Sequence, residues 1–220
     1  MSGATVSTSR RRRSWRDERR RSHGQNFLRD DRLPALIASS VGSGELVLDL
    51  GAGTGALTLP LARRGARVVA VESDATWAER LRTRVRDARL AGQVTVVEGD
   101  LLAVPPPATA YRVVSSVPFH LTTALLHRLL DDPRAGPERC DLIVQWEVAR
   151  KRAAQPPDSL LSAIWAPWWE TELVCRIPRT RFRPVPEVDA AWLAIRRRAR
   201  PTLPSEMGAA FGDFLRSTWG

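Results

Sequence analysis

The sequence predicts an α/β protein with an open, mostly parallel sheet, and three observations carry that prediction. Short apolar runs alternate with helically spaced stretches along most of the chain. One run ends in glycines at alternate positions, ELVLDLGAGTG (Glu45–Gly55). Two later runs, RVVAVE (Arg67–Glu72) and VTVVEGD (Val94–Asp100), finish on acidic residues. Strands that alternate with helices imply right-handed crossovers and a parallel sheet covered on both faces.

Taken in order, residues 1–22 show no core-forming pattern. Arg10, Arg11, Arg12 and Arg13, with Arg16 and Arg19 to Arg21, make a basic arm whose only acidic residues are Asp17 and Glu18. Such an arm is disordered when free and suited to ordering on phosphates. A helix is predicted from Asp31 to Ser40. Leu46, Val47 and Leu48 open the first strand, and Gly51, Gly53 and Gly55 form a tight turn that needs positive φ and close approach of a ligand to the backbone. ALTLPLARRG then sets Leu57, Leu61 and Ala62 on one helical side and stops at Gly65. After the Arg67–Glu72 strand, a polar, arginine-laced helix is predicted from about Asp74 to Leu90. Pro105 to Pro107 break the chain before a strand at Tyr111–Ser116; a helix at Leu121–Leu130 and a strand at Asp141–Glu147 follow.

The last third changes character. A helix carrying Leu160, Leu161, Ile164 and Trp165 precedes two strands, Glu170–Pro178 and Asp189–Arg198. Between them, RTRFRPVPE is too rich in proline and arginine for sheet interior. Trp165, Trp168, Trp169 and Trp192 are expected in the core. Phe211, Phe214, Leu215 and Trp219 suggest one amphipathic helix near the end of the chain.

Bulk properties narrow the function classes. With 220 residues, 43% hydrophobic and 26% charged, the chain is that of an ordinary globular protein with one substantial core. No apolar run approaches the length of a membrane span, and no apolar segment follows the N-terminal charges, so neither a membrane span nor a secretory signal is expected and the cytoplasm is the predicted compartment. Cys140 and Cys175 are too isolated for a disulfide framework, and neither they nor His23, His120 and His127 have metal-ligand spacing. The net charge is +10 and all but one of the 34 basic residues are arginine, the exception being Lys151. That excess, with a pI near 11.3, favours a polyanionic partner, either nucleic acid or an anionic membrane surface, and of these the nucleic acid is expected and no membrane.

The glycine turn is where an α/β sheet holds a nucleotide. Glu72, at the end of the following strand, can accept from both ribose hydroxyls; GAGTGA also satisfies a dinucleotide fingerprint, so this pairing alone fits NAD as well. Asp100 shifts the balance, because an acid at the third strand end can accept from an exocyclic adenine amine, as in methyltransferases that use S-adenosylmethionine. The stretch Ser115-Ser116-Val117-Pro118-Phe119-His120 after the fourth strand matches the place of the amino-methyltransferase motif: Asn or Asp, an apolar residue, Pro, then Tyr or Phe.

From GQNFL (Gly24–Leu28) through DLGAGTG, VAVES, EGD and SVPFHLTT to FRPVPEVDAAW (Phe182–Trp192), the chain resembles the Erm-type adenine-N6 methyltransferases of 23S ribosomal RNA, and more distantly the small-subunit adenine dimethyltransferases. The resemblance implies a class I, Rossmann-like methyltransferase sheet of seven strands with the last antiparallel and a short C-terminal helical remnant. It implies an Arg-rich arm at 1–22, a catalytic domain at 23–199, and the start of a shortened helical domain at 200–220. It also implies transfer of methyl from S-adenosylmethionine to one adenine of 23S rRNA, free or in pre-ribosomal particles, by a monomer. Resistance to macrolides, lincosamides and streptogramin B follows from the same likeness.

By position, Asn26, Leu28 and Gly53 would line the cofactor pocket, Gly51 its methionine end, Glu72 the ribose and Asp100 the adenine. Ser116 and the Val117 carbonyl would face the target amine, with Pro118 shaping the turn and Phe119 stacking on an everted base. Phe182 would be a second aromatic near the target, and Arg179, Arg181 and Arg183, with Arg176, a basic loop for RNA. One departure is Ser116, where the family usually carries Asn: the hydroxyl is shorter and lacks the fixed amide geometry, so slower transfer, stopping at one methyl, is expected. Two alternatives stand beside this reading, a non-catalytic RNA-binding protein on the same fold and an NAD-dependent oxidoreductase.

Overall fold

The structure, a computed structural model, describes residues 27–29 and 31–219. A seven-stranded sheet forms the centre, built from β2 (Leu46–Leu50), β3 (Arg67–Glu72), β4 (Val94–Glu98), β5 (Arg112–Ser116), β6 (Arg139–Gln145), β7 (Trp169–Ile177) and β9 (Ala190–Arg197). Its order is β4-β3-β2-β5-β6-β9-β7, and β9 runs antiparallel to both neighbours while the remaining pairs are parallel. The expected seven strands, with the last in sequence reversed, are therefore present. β5 and β6 are buried almost throughout, as strands covered on both faces must be, whereas the edge strand β4 alternates with exposed positions.

One face is covered by α1 (Arg32–Ser39), α2 (Thr58–Arg63) and α3 (Ala75–Asp87), which bring Ile37, Leu61, Leu81 and Val85 to a core with Val68 and Ala70. In α3, Ala78, Leu81 and Val85 recur at helical spacing on an otherwise charged helix, and Asp74 caps it by accepting from the amides of Thr76 and Trp77 at 2.8 and 3.2 Å. The other face carries α4 (Thr122–Leu130), α5 (Trp146–Arg152) and α6 (Leu160–Trp165), packed through Leu125, Leu129 and Ile164 onto Leu142 and Leu193. Trp165, Trp168, Trp169 and Trp192 are all buried, as expected.

At the amino edge, Asp141 on β6 is fully buried and accepts from Arg112 Nε (2.9 Å), Arg139 Nη2 (2.8 Å) and Trp192 Nε1 (2.9 Å). This network pins β5, β6 and β9 in register at the end away from the glycine turn, each charge compensated by a partner.

Three sequence expectations change in detail. The strand expected to reach Glu147 ends at Gln145, because its antiparallel partner begins at Ala190 and the ladder has no further partner; Trp146 then starts α5 and its amide donates to Asp189 O at 3.0 Å. RTRFRPVPE stays out of the main sheet, yet β8 (Phe182–Arg183) pairs antiparallel with β1 (Phe27–Leu28) in a separate two-stranded ribbon. The C-terminal helix α7 (Gly208–Thr218) packs with Phe211 and Leu215, Phe211 lying edge-on to Trp168 at 5.9 Å. Phe214 and Trp219 do not join them and remain 60% and 45% exposed. Phe214 sits about 110° around the helix from the centre of the buried face, and Trp219 lies past the helix end.

Candidate active site

β2 has β3 on one side and β5 on the other, so the sheet's order reverses there and the carboxyl ends of these strands open a crevice. A cleft of about 550 Å³ occupies it, and Leu28, Gly51, Gly53, Glu72, Asp100, Ser116, Val117, Pro118, Phe119 and Phe182 all line its wall. Residues separated by up to 154 positions in sequence are thus gathered at one edge. Asn26 and Arg10 to Arg13 lie outside the described residues.

The turn after β2 is held by its own backbone and by one carboxylate. The amides of Gly51 and Ala52 both donate to Val71 O at 2.9 Å. Gly53 N–H donates to Glu72 Oε2 at 2.8 Å, and Asp74 N–H donates to Oε1 at 2.9 Å. Glu72 is therefore a structural clip as well as a wall of the cleft, with lone pairs left for a ligand's hydroxyls. Gly53 has φ +53°, and a Cβ there would lie 2.8 Å from the ring of Phe27; Gly51 has φ +85°, with Pro118 Cδ at 3.6 Å from the same imagined atom. Any side chain at Gly53 would fill the space against Phe27 at the cleft wall.

Asp49 is the site residue that the sequence reading passed over. It is 1% exposed, lines the cleft, and accepts from Thr58 Oγ1 at 2.6 Å through Oδ2, while Oδ1 is buried without a protein partner. Burial pushes its carboxyl up to about 7; the charge of Glu72 adds to the rise and the Thr58 hydrogen bond opposes it. The signal was in the sequence, an acid at the penultimate place of an apolar strand that runs into the glycines, but its burial was not.

On the third strand end, Asp100 Oδ1 accepts from Leu102 N–H at 2.9 Å, which fixes the loop and leaves the other oxygen toward solvent and cleft. Ser116 pairs in register with Ile143, and Val117 N–H donates to Ile143 O at 3.1 Å, so the Ser116–Phe119 turn springs directly from the sheet. Ser115, fully buried, hydrogen-bonds Leu50 O and ties this turn to the glycine strand. Leu121 N–H closes a short 3₁₀ turn onto Pro118 O at 2.8 Å, which holds Phe119 and His120 at the cleft wall.

The segments that frame the cleft meet through the β1–β8 ribbon, where Leu28 lies opposite Phe182. Phe182 lines the cleft but is only 1% exposed and packs in the core, so it has no open face for a base in this structure. Phe119 is half-buried against the same core. Of the basic loop, Arg179 is engaged locally: its amide donates to Asp189 Oδ1 at 2.8 Å and Nη1 to Glu187 O at 3.1 Å. Arg181 and Arg183 are exposed. Among the described residues, no helix is long and apolar enough to cross a membrane.

Comparison with known proteins agrees with this architecture. The family profile described as ribosomal RNA adenine dimethylase matches residues 16–218. An rRNA adenine N-6-methyltransferase of Corynebacterium diphtheriae is 41% identical over 194 residues, covering 87% of this chain and 74% of the relative. The mycinamicin-resistance protein MyrB of Micromonospora griseorubida is 40% identical over 89% of this chain, which spans 61% of that relative's length. The crystal structure of the 23S rRNA methyltransferase ErmE superposes with a TM-score of 0.77 at 32% identity, covering 87% of this chain and 78% of that one. These matches decide against the NAD-dependent alternative. The chain belongs to the ribosomal RNA adenine dimethylase family, and is an enzyme of that methyltransferase class on a class I, Rossmann-like sheet.

Proposed function

We propose that the chain transfers a methyl group from S-adenosylmethionine to N6 of one adenine in 23S ribosomal RNA, with resistance to macrolides and related drugs as the consequence. The observation that carries this reading is the convergence of the glycine turn, Glu72, Asp100 and the Ser116–Phe119 turn on one cleft. The residues present fit the donor. Asp49 Oδ1, buried and unpaired at the cleft wall, suits a cationic amino group; Glu72 suits ribose hydroxyls and Asp100 an adenine amine; and the room beside Gly53 is what a Cβ would take away. Leu28 adds apolar wall. When bound, S-adenosylmethionine supplies an electrophilic methyl group on a sulfonium.

The protein's part is position and an acceptor field. Adenine N6 is a poor nucleophile because its lone pair is delocalised into the ring. Ser116 Oγ and the Val117 carbonyl, accepting its amino protons, favour a pyramidal nitrogen whose lone pair points along the transfer axis. Pro118 fixes the direction of the turn at φ −54°, and Phe119 stacks on the everted base. The stacking returns about 1–3 kcal/mol of the few kcal/mol that unstacking costs. Val117 and the core behind it keep water from the rear of the turn. Arg179, Arg181 and Arg183, with Arg10 to Arg13 of the arm, attract the phosphates, and Phe182 backs the target pocket from the core side.

Incubating the protein with 23S transcripts and radiolabelled S-adenosylmethionine, followed by primer extension, tests the reading. A single strong stop at one adenine is expected, and expression in a sensitive host should raise its macrolide tolerance. Retained RNA and donor binding without label transfer would establish the non-catalytic alternative instead.

A further inference from the structure

The carboxyl edge continues past the cleft onto three more strands. Gln145 of β6 faces Ala190 of β9, and Ala190 faces Ile177 of β7, so Trp146 and Arg176 stand at the same edge as Ser116. Three strand spacings separate β5 from β7, about 14 Å, which is within reach of single-stranded RNA running on from an everted base.

At that place the guanidinium of Arg176 lies 5.0 Å over the Trp146 ring. Its Nε and Nη2 both donate to Asp189 Oδ2 at 2.8 Å, and the side chain is still 59% exposed. Asp189 is fixed in turn, accepting the Arg179 amide through Oδ1, while its carbonyl accepts the Trp146 amide. The arginine is therefore held over an aromatic ring, with one edge on a carboxylate. Its charge is largely compensated, which makes it a poor phosphate clamp. Its outward face is flat, cationic and open to solvent, the surface on which an unpaired base stacks. Arg183 of β8, exposed and six residues on from the end of β7, is left to supply the phosphate contact that Arg176 does not.

We propose that Trp146 and Arg176 form a stacking platform for an unpaired RNA base flanking the methylated adenine. The inference rests on the reading of the chain as an RNA methyltransferase.

Its test uses a synthetic stem-loop carrying the adenine mapped by primer extension, with each flanking loop nucleotide replaced in turn by an abasic residue. With the wild-type chain, one abasic position should weaken binding about tenfold. Arg176→Lys and Arg176→Ala should each weaken binding of the intact stem-loop by the same factor, lose the abasic effect at that position, and leave S-adenosylhomocysteine binding unchanged. A wild-type chain indifferent to every abasic position overturns the platform, whether or not the variants fold. So does an Arg176→Lys variant that binds like wild type, since lysine keeps the charge and loses the plane. Absence of any methylated adenine would instead overturn the parent reading, so the two failures are distinct.

Discussion

On the β3–β4 side of the switch point, Glu72 and the backbone carbonyl of Val71 hold the glycine turn through hydrogen bonds, and what a ligand meets is a fixed backbone turn ringed by the carboxylates of Asp49, Glu72 and Asp100. On the β6–β9–β7 side, the same edge presents side chains, the Trp146 ring and the Arg176 guanidinium, and the exposed Arg183 follows on β8. The first half is preorganised for one small molecule of fixed shape. The second is a charged and aromatic surface that can follow a flexible polymer. Ser116–Phe119 lies on the boundary, anchored to the first half through Ser115 and Leu50 and lining the cleft. Damage to one half should therefore separate donor binding from RNA binding.

The largest separation is expected from Glu72→Ala. It leaves the amides of Gly53 and Asp74 without their acceptor, at about 1–3 kcal/mol for each unpaired donor. S-adenosylhomocysteine affinity should fall by roughly a hundredfold, with a lowered melting temperature, while RNA binding measured below that melt stays near wild type. Calorimetry that finds donor-site affinity within threefold of wild type would show that the turn holds without its clip.

Next in size is Ser116→Asn, which restores a planar amide acceptor where the chain carries a hydroxyl. One well-placed hydrogen bond in a dry site is worth about 1 kcal/mol or somewhat more, so single-turnover transfer should rise roughly tenfold. Mass spectrometry should show the product shifting from mono- to dimethyladenine. A wild-type enzyme that already yields dimethyladenine at low dose would show that the serine suffices.

The legibility of the two halves differed for the same reason that their chemistry does. Backbone-built features announce themselves through residue type, since only glycine tolerates φ +53° at Gly53 against Phe27, and acids at strand ends are placed by period alone. Gly51, Gly53, Glu72, Asp100 and the Ser116–Phe119 turn were therefore readable, and all line one cleft. Asp49 escaped because its importance lies in burial and an unpaired oxygen, which depend on the helix and strand that close over it. The β1–β8 ribbon escaped because Phe27 and Arg183 are paired by tertiary folding across the whole chain, with strands too short to carry a periodicity. The Trp146–Arg176 pair was hidden likewise: the sequence marked Arg176 as basic, but not that Asp189 would hold its edge. Phe214 and Trp219 were misread because apolar content alone does not fix a helix face.

The buried carboxyl gives a test confined to the donor half. Asp49 titrates near 7 when folded, above its ordinary value of 3.8, because burial disfavours its charge. The folded state thus holds a proton that the unfolded chain releases, and Asp49's contribution to stability is full below about pH 4 and lost as pH rises through 7. Binding of a cationic amino group at Oδ1 requires the ionised form. S-adenosylhomocysteine affinity should rise with pH, approaching tenfold per unit below about 7, and level off above it. Asp49→Asn should flatten this profile; an unchanged slope in that variant would assign the titration elsewhere.

The smallest effect belongs to the RNA half and separates its two kinds of arginine. Arg183 stands exposed between the buried Phe182 and Pro184, aimed outward by the strand alternation of β8. A phosphate contact there contributes about 0.7 to the slope of log affinity against log salt for single-stranded RNA. Arg183→Ala should weaken binding only a few-fold at 50 to 200 mM salt and make that slope shallower by about 0.7. Arg176→Ala, whose charge is already met by Asp189 at 2.8 Å, should weaken binding with the slope unchanged. Equal slope changes in the two variants would mean that both arginines read phosphate, and the distinction between plane and point charge at this edge would fall.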